Sequence, residues 1–98
     1  MPSRVEMVRE AEDDLVSAAS FYEGQRRGLA LRFIAAIERV VAFAAAQPLT
    51  GAPLGGEIRR HLVPGFPYAV IYEADRGTVR VLAIAHLRRH PDFWSDRQ

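Results

Sequence analysis

The chain has 98 residues, of which 49% are hydrophobic and 26% charged, so we expect one globular domain over residues 1–98. It has no cysteine, which excludes disulfides and thiolate metal sites, and no apolar run near the ~20 residues of a membrane span. The first residues also lack the apolar stretch of a signal peptide, so we expect a cytoplasmic protein without membrane association.

All thirteen basic residues are arginine, and the net charge of +1 is unevenly distributed. Residues 1–25 carry two arginines and six acids, whereas residues 26–98 carry eleven arginines and six acids. Arginine favours bidentate contacts to phosphate and carboxylate groups. The basic part therefore predicts an anionic partner, either nucleic acid or an acidic protein segment, with a plain solvated surface as the alternative.

The first half of the chain predicts a strand followed by two helices. Residues 3–8 alternate between apolar and polar side chains, as in a half-buried strand. From Glu10 the apolar residues recur at helical spacing, and glycines bracket a short joint at 24–28. A second helix is predicted over Leu29–Gln47, stopped by Pro48. The two helices form a hairpin whose apolar faces must be buried against another layer.

The second half predicts a sheet. Residues 48–56 are rich in proline and glycine and are predicted to be a connecting loop. Three strands are predicted at Glu57–Val63, Pro67–Glu73 and Thr78–His86, and their short turns make them an antiparallel meander, before a closing turn at Pro91–Trp94. The expected fold is α+β, in the order β-α-α-β-β-β, with the helical hairpin on one face of a mainly antiparallel sheet.

Cationic and titratable side chains cluster where the last strand ends. Strand alternation leads us to expect that the open face of the sheet gathers Arg59, His61, a tyrosine, His86 and Arg88. Metal-free RNA cleavage needs a base, an acid and a cation beside the phosphate, and histidine can fill either proton-transfer role.

The candidates for a nuclease are therefore His86, Arg88, His61, Tyr68 and Tyr72, and those for anion binding are Arg59, Arg60, Arg88 and Arg89. The same residues would also form an anion-binding surface without chemistry, so no residue is assigned as catalytic. Neither a metal site nor a cofactor is expected, because the three histidines lack carboxylates at ligand spacing.

Several motifs, taken in order along the whole chain, resemble the RelE/ParE toxin superfamily. They are Asp14-Leu15 with Ala18 and Tyr22, Leu31-Arg32-Phe33, Pro48 with Gly51, Arg59-Arg60 before Phe66-Pro67-Tyr68, Val70-Ile71-Tyr72, and Ala85-His86-Leu87-Arg88-Arg89-His90-Pro91 with Trp94. The resemblance implies the toxin of a bacterial type II toxin–antitoxin module, of the plasmid-stabilisation kind, which arrests growth. It also implies a cognate antitoxin that neutralises the toxin in a hetero-oligomer.

The superfamily implies two alternative targets. RelE-like members are ribosome-dependent mRNA endonucleases that use arginine, lysine and a late tyrosine, whereas this chain has no lysine and carries Phe93 and Trp94 at its end. ParE-like members inhibit DNA gyrase and have a longer helical hairpin, which the segment Glu10–Gln47 resembles. The resemblance therefore favours gyrase inhibition, with the mRNA endonuclease and a binding module without toxicity as alternatives. The antitoxin is expected to place acidic groups near the arginines and apolar side chains in a groove beside the hairpin.

Overall fold

A computed structural model describes residues 3–90 and 92–98. Two helices lie on one face of a five-stranded mixed sheet. The elements are β1 (Arg4–Met7), α1 (Arg9–Gln25), α2 (Leu29–Ala46), β2 (Ala52–Gly55), β3 (Ile58–Leu62), β4 (Tyr68–Asp75), β5 (Thr78–His86) and a 3₁₀ turn (Ser95–Arg97). The strand order is β1-β5-β4-β3-β2, with β1 parallel to β5 and all other pairs antiparallel. The predicted fold class is confirmed, with one additional strand.

The additional strand, β2, lies within residues 48–56, where a loop was predicted. It pairs with β3 at the edge of the sheet, Pro53 opposite Arg59, and a bulge interrupts the pairing before Gly55. Proline has no N–H to donate and is tolerated on an edge strand, while both proline and glycine are uncommon inside strands. The composition of the segment therefore conceals the strand.

The helical hairpin forms at the predicted place and buries its apolar stripe on the sheet. α2 contributes Phe33 and Ile37 to the core, and small residues of α1 such as Ala18 allow close approach. At the joint, the Glu23 carboxylate accepts hydrogen bonds from the N–H groups of Gly28 and Ala30, both at 3.1 Å, and so satisfies the first turn of α2. Within the part of the chain that the structure describes, neither helix combines the length and apolar character needed to cross a bilayer.

Alternation along β4 and β5 divides the core into two layers. Val70 and Ile84 face the helices, whereas Ile71 and Ala85 lie on the opposite face. There Trp94 packs against the sheet and covers part of that face. The first residue of the predicted closing turn, at position 91, lies outside the described residues.

Two side chains complete the edge of β5 where β1 ends. The ladder between these strands stops at Val81. Beyond it, Asp14 Oδ2 accepts a hydrogen bond from the Ile84 N–H (3.1 Å), and Arg97 Nη1 donates to the Leu82 carbonyl (3.0 Å). Arg97 also forms an ion pair with Asp14 at 2.7 Å, and the two side chains are only 12% and 10% exposed. This pair therefore ties α1, β5 and the C-terminal turn together.

Candidate functional site

The sequence-predicted site residues do not gather on the open face of the sheet. Tyr68, Val70 and Tyr72 share one face, as predicted, but that face packs against the helices. The strand register sets Arg59 beside Tyr72 at one place and His86 beside Tyr68 at another. The expectation of one open-face site is therefore wrong, and the candidates form two groups with different surroundings.

The first group holds the loop between α2 and β2, residues 47–51, which we call the anchored loop. The hydroxyl of the buried Tyr72 accepts a hydrogen bond from the Gly51 N–H (3.1 Å) and donates one to the Pro48 carbonyl (2.8 Å). Both partners are backbone groups that no strand or helix satisfies. Tyr72 therefore has a structural role in fixing this loop.

Arg59 and His61 contact the same loop. Arg59 Nη1 donates to the carbonyls of Leu49 (3.1 Å) and Gly51 (2.9 Å). The Thr50 hydroxyl gives its hydrogen to the Gln47 carbonyl (2.7 Å), so at 3.1 Å it accepts from His61 Nε2. These two predicted site residues are thus engaged by the anchored loop.

The surroundings of this group shift the pKa values of Tyr72 and His61. Burial raises the pKa of Tyr72, although the hydrogen bond from Gly51 and the charge of Arg59 act in the opposite direction. Burial also lowers the pKa of His61, whose ring stacks on Tyr72 at a centroid distance of 5.8 Å and meets Phe43 edge-on at 5.4 Å. A tyrosine kept protonated and a histidine kept neutral suit a packed, uncharged contact.

Gly51 is required by this packing. A Cβ at this position would lie 2.5 Å from the Tyr72 hydroxyl oxygen and 3.0 Å from both Arg59 Cβ and the Arg60 carbonyl. Only glycine lets the anchored loop approach the sheet so closely.

The second group lies at the exit of β5. The rings of Tyr68 and His86 meet edge-on at 5.1 Å, and His86 Nδ1 accepts a hydrogen bond from the Arg88 N–H (3.0 Å). Burial raises the pKa of Tyr68, and the nearby Tyr22 and Asp14 raise it further, so the phenol stays protonated. His86 and the exposed Arg88 can bind an anion here, but the phenol is poorly suited to act as a base.

The two remaining arginines of the predicted patch, Arg60 and Arg89, have different surroundings. Arg89 lies 3.6 Å from Asp14 Oδ1, and its guanidinium sits 3.8 Å from the centre of the Phe93 ring. Arg60 pairs with Ile71 in the register and so lies on the face opposite the helices. Among the described residues, no group of three or more histidines and acids is placed to hold a metal ion.

A groove runs along α2. A groove beside the helical hairpin is expected from the sequence, but the residues that line it are not. One part, about 350 Å³, is lined by Phe43 and Leu62, which are 52% and 58% exposed. The adjoining part, about 530 Å³, is lined by Arg26 and Arg32, and Arg39 borders both. We call this surface the α2 groove. Apolar residues of α2 that fall off the buried stripe, such as Phe43, are the sequence signal that could have identified it.

The arginines of the α2 groove are available to a partner. No ion pair joins Arg26, Arg32 or Arg39 to an acid within residues 3–90 and 92–98. The arrangement of apolar side chains beside unpaired guanidinium groups suits an amphipathic segment with acidic residues.

Comparison with known proteins gives one family and one fold. Residues 5–91 match the model of the family described as "ParE toxin of type II toxin-antitoxin system, parDE". Among solved structures, a chain described as "Chromosomal ParDE TA system from P. aeruginosa" is similar, with a TM-score of 0.74 and 17% identity. The alignment covers 86% of this chain and 95% of that chain, which shows a shared fold. None of the curated proteins compared matches.

Proposed function

Because the chain belongs to the ParE toxin family of type II toxin–antitoxin systems, we propose that it arrests growth by binding and inhibiting DNA gyrase. The proposed inhibition needs no bond-making step by the toxin. The observation that carries this proposal is the use of Arg59, His61 and Tyr72 to hold the anchored loop.

A metal-free nuclease needs its base, acid and cation within reach of one phosphate. Tyr72 is buried, and Arg59 and His61 already have hydrogen-bond partners in the anchored loop. The raised pKa of Tyr68, caused first by burial, makes this phenol a poor base beside His86. These observations favour a toxin that binds its target over one that cleaves RNA.

We also propose that the cognate antitoxin neutralises the toxin by occupying the α2 groove with an amphipathic segment. Its apolar side chains would pack on Phe43 and Leu62, and its acidic side chains would pair with Arg26, Arg32 and Arg39. The exposed apolar surface and the unpaired arginines support this choice of occupant. These three arginines lie outside the patch expected from the sequence, which is Arg59, Arg60, Arg88 and Arg89.

The state of the DNA and of the mRNA during growth arrest distinguishes gyrase from the ribosome as the target. Expression of the chain should stop growth with filamentation and DNA damage while bulk mRNA stays intact, and the purified chain should inhibit gyrase supercoiling. The His86→Ala variant should keep this effect, because binding requires no proton transfer. Rapid cleavage of translated mRNA that disappears in His86→Ala would instead favour the endonuclease.

Antitoxin binding is tested by reversing one charge in the α2 groove. Arg39→Glu should weaken the toxin–antitoxin complex at least about tenfold, because a charge-assisted contact becomes a repulsion. Arg76→Glu, an exposed arginine in the β4–β5 turn, is the matched control and should bind normally. Equal affinities of the two variants in low salt would rule out this surface.

A further inference from the structure

A small cleft lies on the face of the sheet opposite the helices and has a volume of about 100 Å³. Its polar lining residues include Arg60, Arg89, His90 and Trp94. His86 also borders it, but the His86 ring contacts Tyr68 on the helix-facing side of the sheet. Ala69, Ile71 and Ala85 form part of an apolar floor. We call this surface the open-face cleft.

The polar side chains of the open-face cleft present hydrogen-bond donors. His90 Nδ1 accepts a hydrogen bond from the Asp92 N–H at 3.3 Å, so His90 Nε2 is the ring nitrogen that can donate to a ligand. Arg60 and Arg89 supply guanidinium donors. No acidic side chain lines the cleft among the described residues, so its complement is a group rich in acceptors.

One of these donors is buried without a partner. Trp94 is 7% exposed, and its Nε1–H has no acceptor among residues 3–90 and 92–98. The Trp94 side chain lines the cleft, so a ligand bound there would lie beside the indole ring. Arg60 likewise has no ion pair within the described part of the chain. Arg89 is held in place by Asp14 and the Phe93 ring.

We propose that the open-face cleft binds the carboxylate of an acidic side chain from a protein partner. The guanidinium groups of Arg60 and Arg89 and the His90 imidazole match carboxylate oxygens, and the alanine floor matches the aliphatic stem of glutamate or aspartate. A cavity of about 150 Å³ holds a molecule of benzene size, so about 100 Å³ fits a carboxylate with its methylenes and is too small for a nucleotide. This site is independent of whether gyrase or the ribosome is the toxin's target.

The single tryptophan of the chain makes the site directly observable. The indole ¹H–¹⁵N signal of Trp94 is followed while the full chain is titrated with N-acetyl-glutamate amide. We expect a saturable shift with a dissociation constant of about 1 mM, a common range for a single small group. The matched ligand N-acetyl-glutamine amide has the same stem without the charge and should bind at least about tenfold more weakly.

The protein variants use the same readout. Arg60→Gln should weaken binding at least about tenfold, whereas Arg27→Gln, which removes an exposed charge at the α1–α2 joint, should bind as the parent does. Dispersed amide spectra establish that each variant is folded. Equal binding of the glutamine ligand, or undiminished binding by Arg60→Gln, would overturn the proposal. So would saturable binding of inorganic phosphate or a short oligonucleotide without binding of the glutamate ligand, since that result would assign a phosphate site.

Discussion

Replacing Tyr72 by phenylalanine removes one hydroxyl that makes two hydrogen bonds to the anchored loop. The Gly51 N–H is buried and would stay unpaired, which costs about 1–3 kcal/mol, while the partly accessible Pro48 carbonyl would lose a bond worth about 1 kcal/mol. The expected loss in unfolding free energy is therefore about 2–4 kcal/mol. For a domain of this size, that loss lowers Tm by about 10–30 °C.

Urea and thermal unfolding measure this loss, and the chain offers a matched control. Among the described residues the Tyr68 hydroxyl has no hydrogen bond, so Tyr68→Phe should cost less than about 0.5 kcal/mol. Below its Tm the Tyr72→Phe toxin should still inhibit its target, because Tyr72 has no catalytic task. Equal stability of the two variants, or a stable Tyr72→Phe protein without toxicity, would refute the structural role.

Three further predictions concern stability. Asp14→Asn should cost about 3–5 kcal/mol in urea unfolding, because it leaves the Arg97 guanidinium without its buried counter-charge, and a cost below about 1 kcal/mol would argue against the pair. Burial lowers the pKa of His61, so the unfolded chain binds a proton at this histidine more readily than the folded chain does. The free energy of unfolding should therefore fall as the pH drops below about 6.5, and this fall should be smaller in His61→Gln. The same pH dependence in both proteins would show that His61 is not its source. Gly51→Ala should lower the free energy of unfolding by about 1–3 kcal/mol in thermal unfolding, because the added methyl group overpacks the contact with Tyr72. Gly24→Ala, in open space within α1, should stabilise the protein by about 0.5–1 kcal/mol. Similar effects of the two variants would contradict the close approach of the anchored loop to the sheet.

The sequence predicts the elements with strong periodicity and misses what depends on distant contacts. The helices and β3, β4 and β5 follow from apolar spacing, because one buried face imposes a period of 3.6 or 2. The strand β2 is not predicted, because its proline and glycine are typical of loops and all four of its residues are exposed, so it has no buried face to impose alternation. The confirmed fold class therefore rests on the periodic elements alone.

The candidate site was harder to predict for a physical reason. Alternation correctly put Tyr68 and Tyr72 on one face, but it does not say which face the helices cover. The partners that give Tyr72 and Asp14 their roles lie 21 to 70 residues away, at Gly51 and Ile84, where no local pattern signals them. How these residues group in space therefore follows only from the fold.

Gyrase supercoiling by purified enzyme is the most direct test of the central claim, that this toxin acts by binding gyrase. We expect the purified chain to inhibit supercoiling in proportion to its concentration and the antitoxin to relieve this inhibition. We also expect mRNA on translating ribosomes to stay intact. Full supercoiling activity in the presence of excess toxin, together with mRNA cleavage on the ribosome, would contradict it.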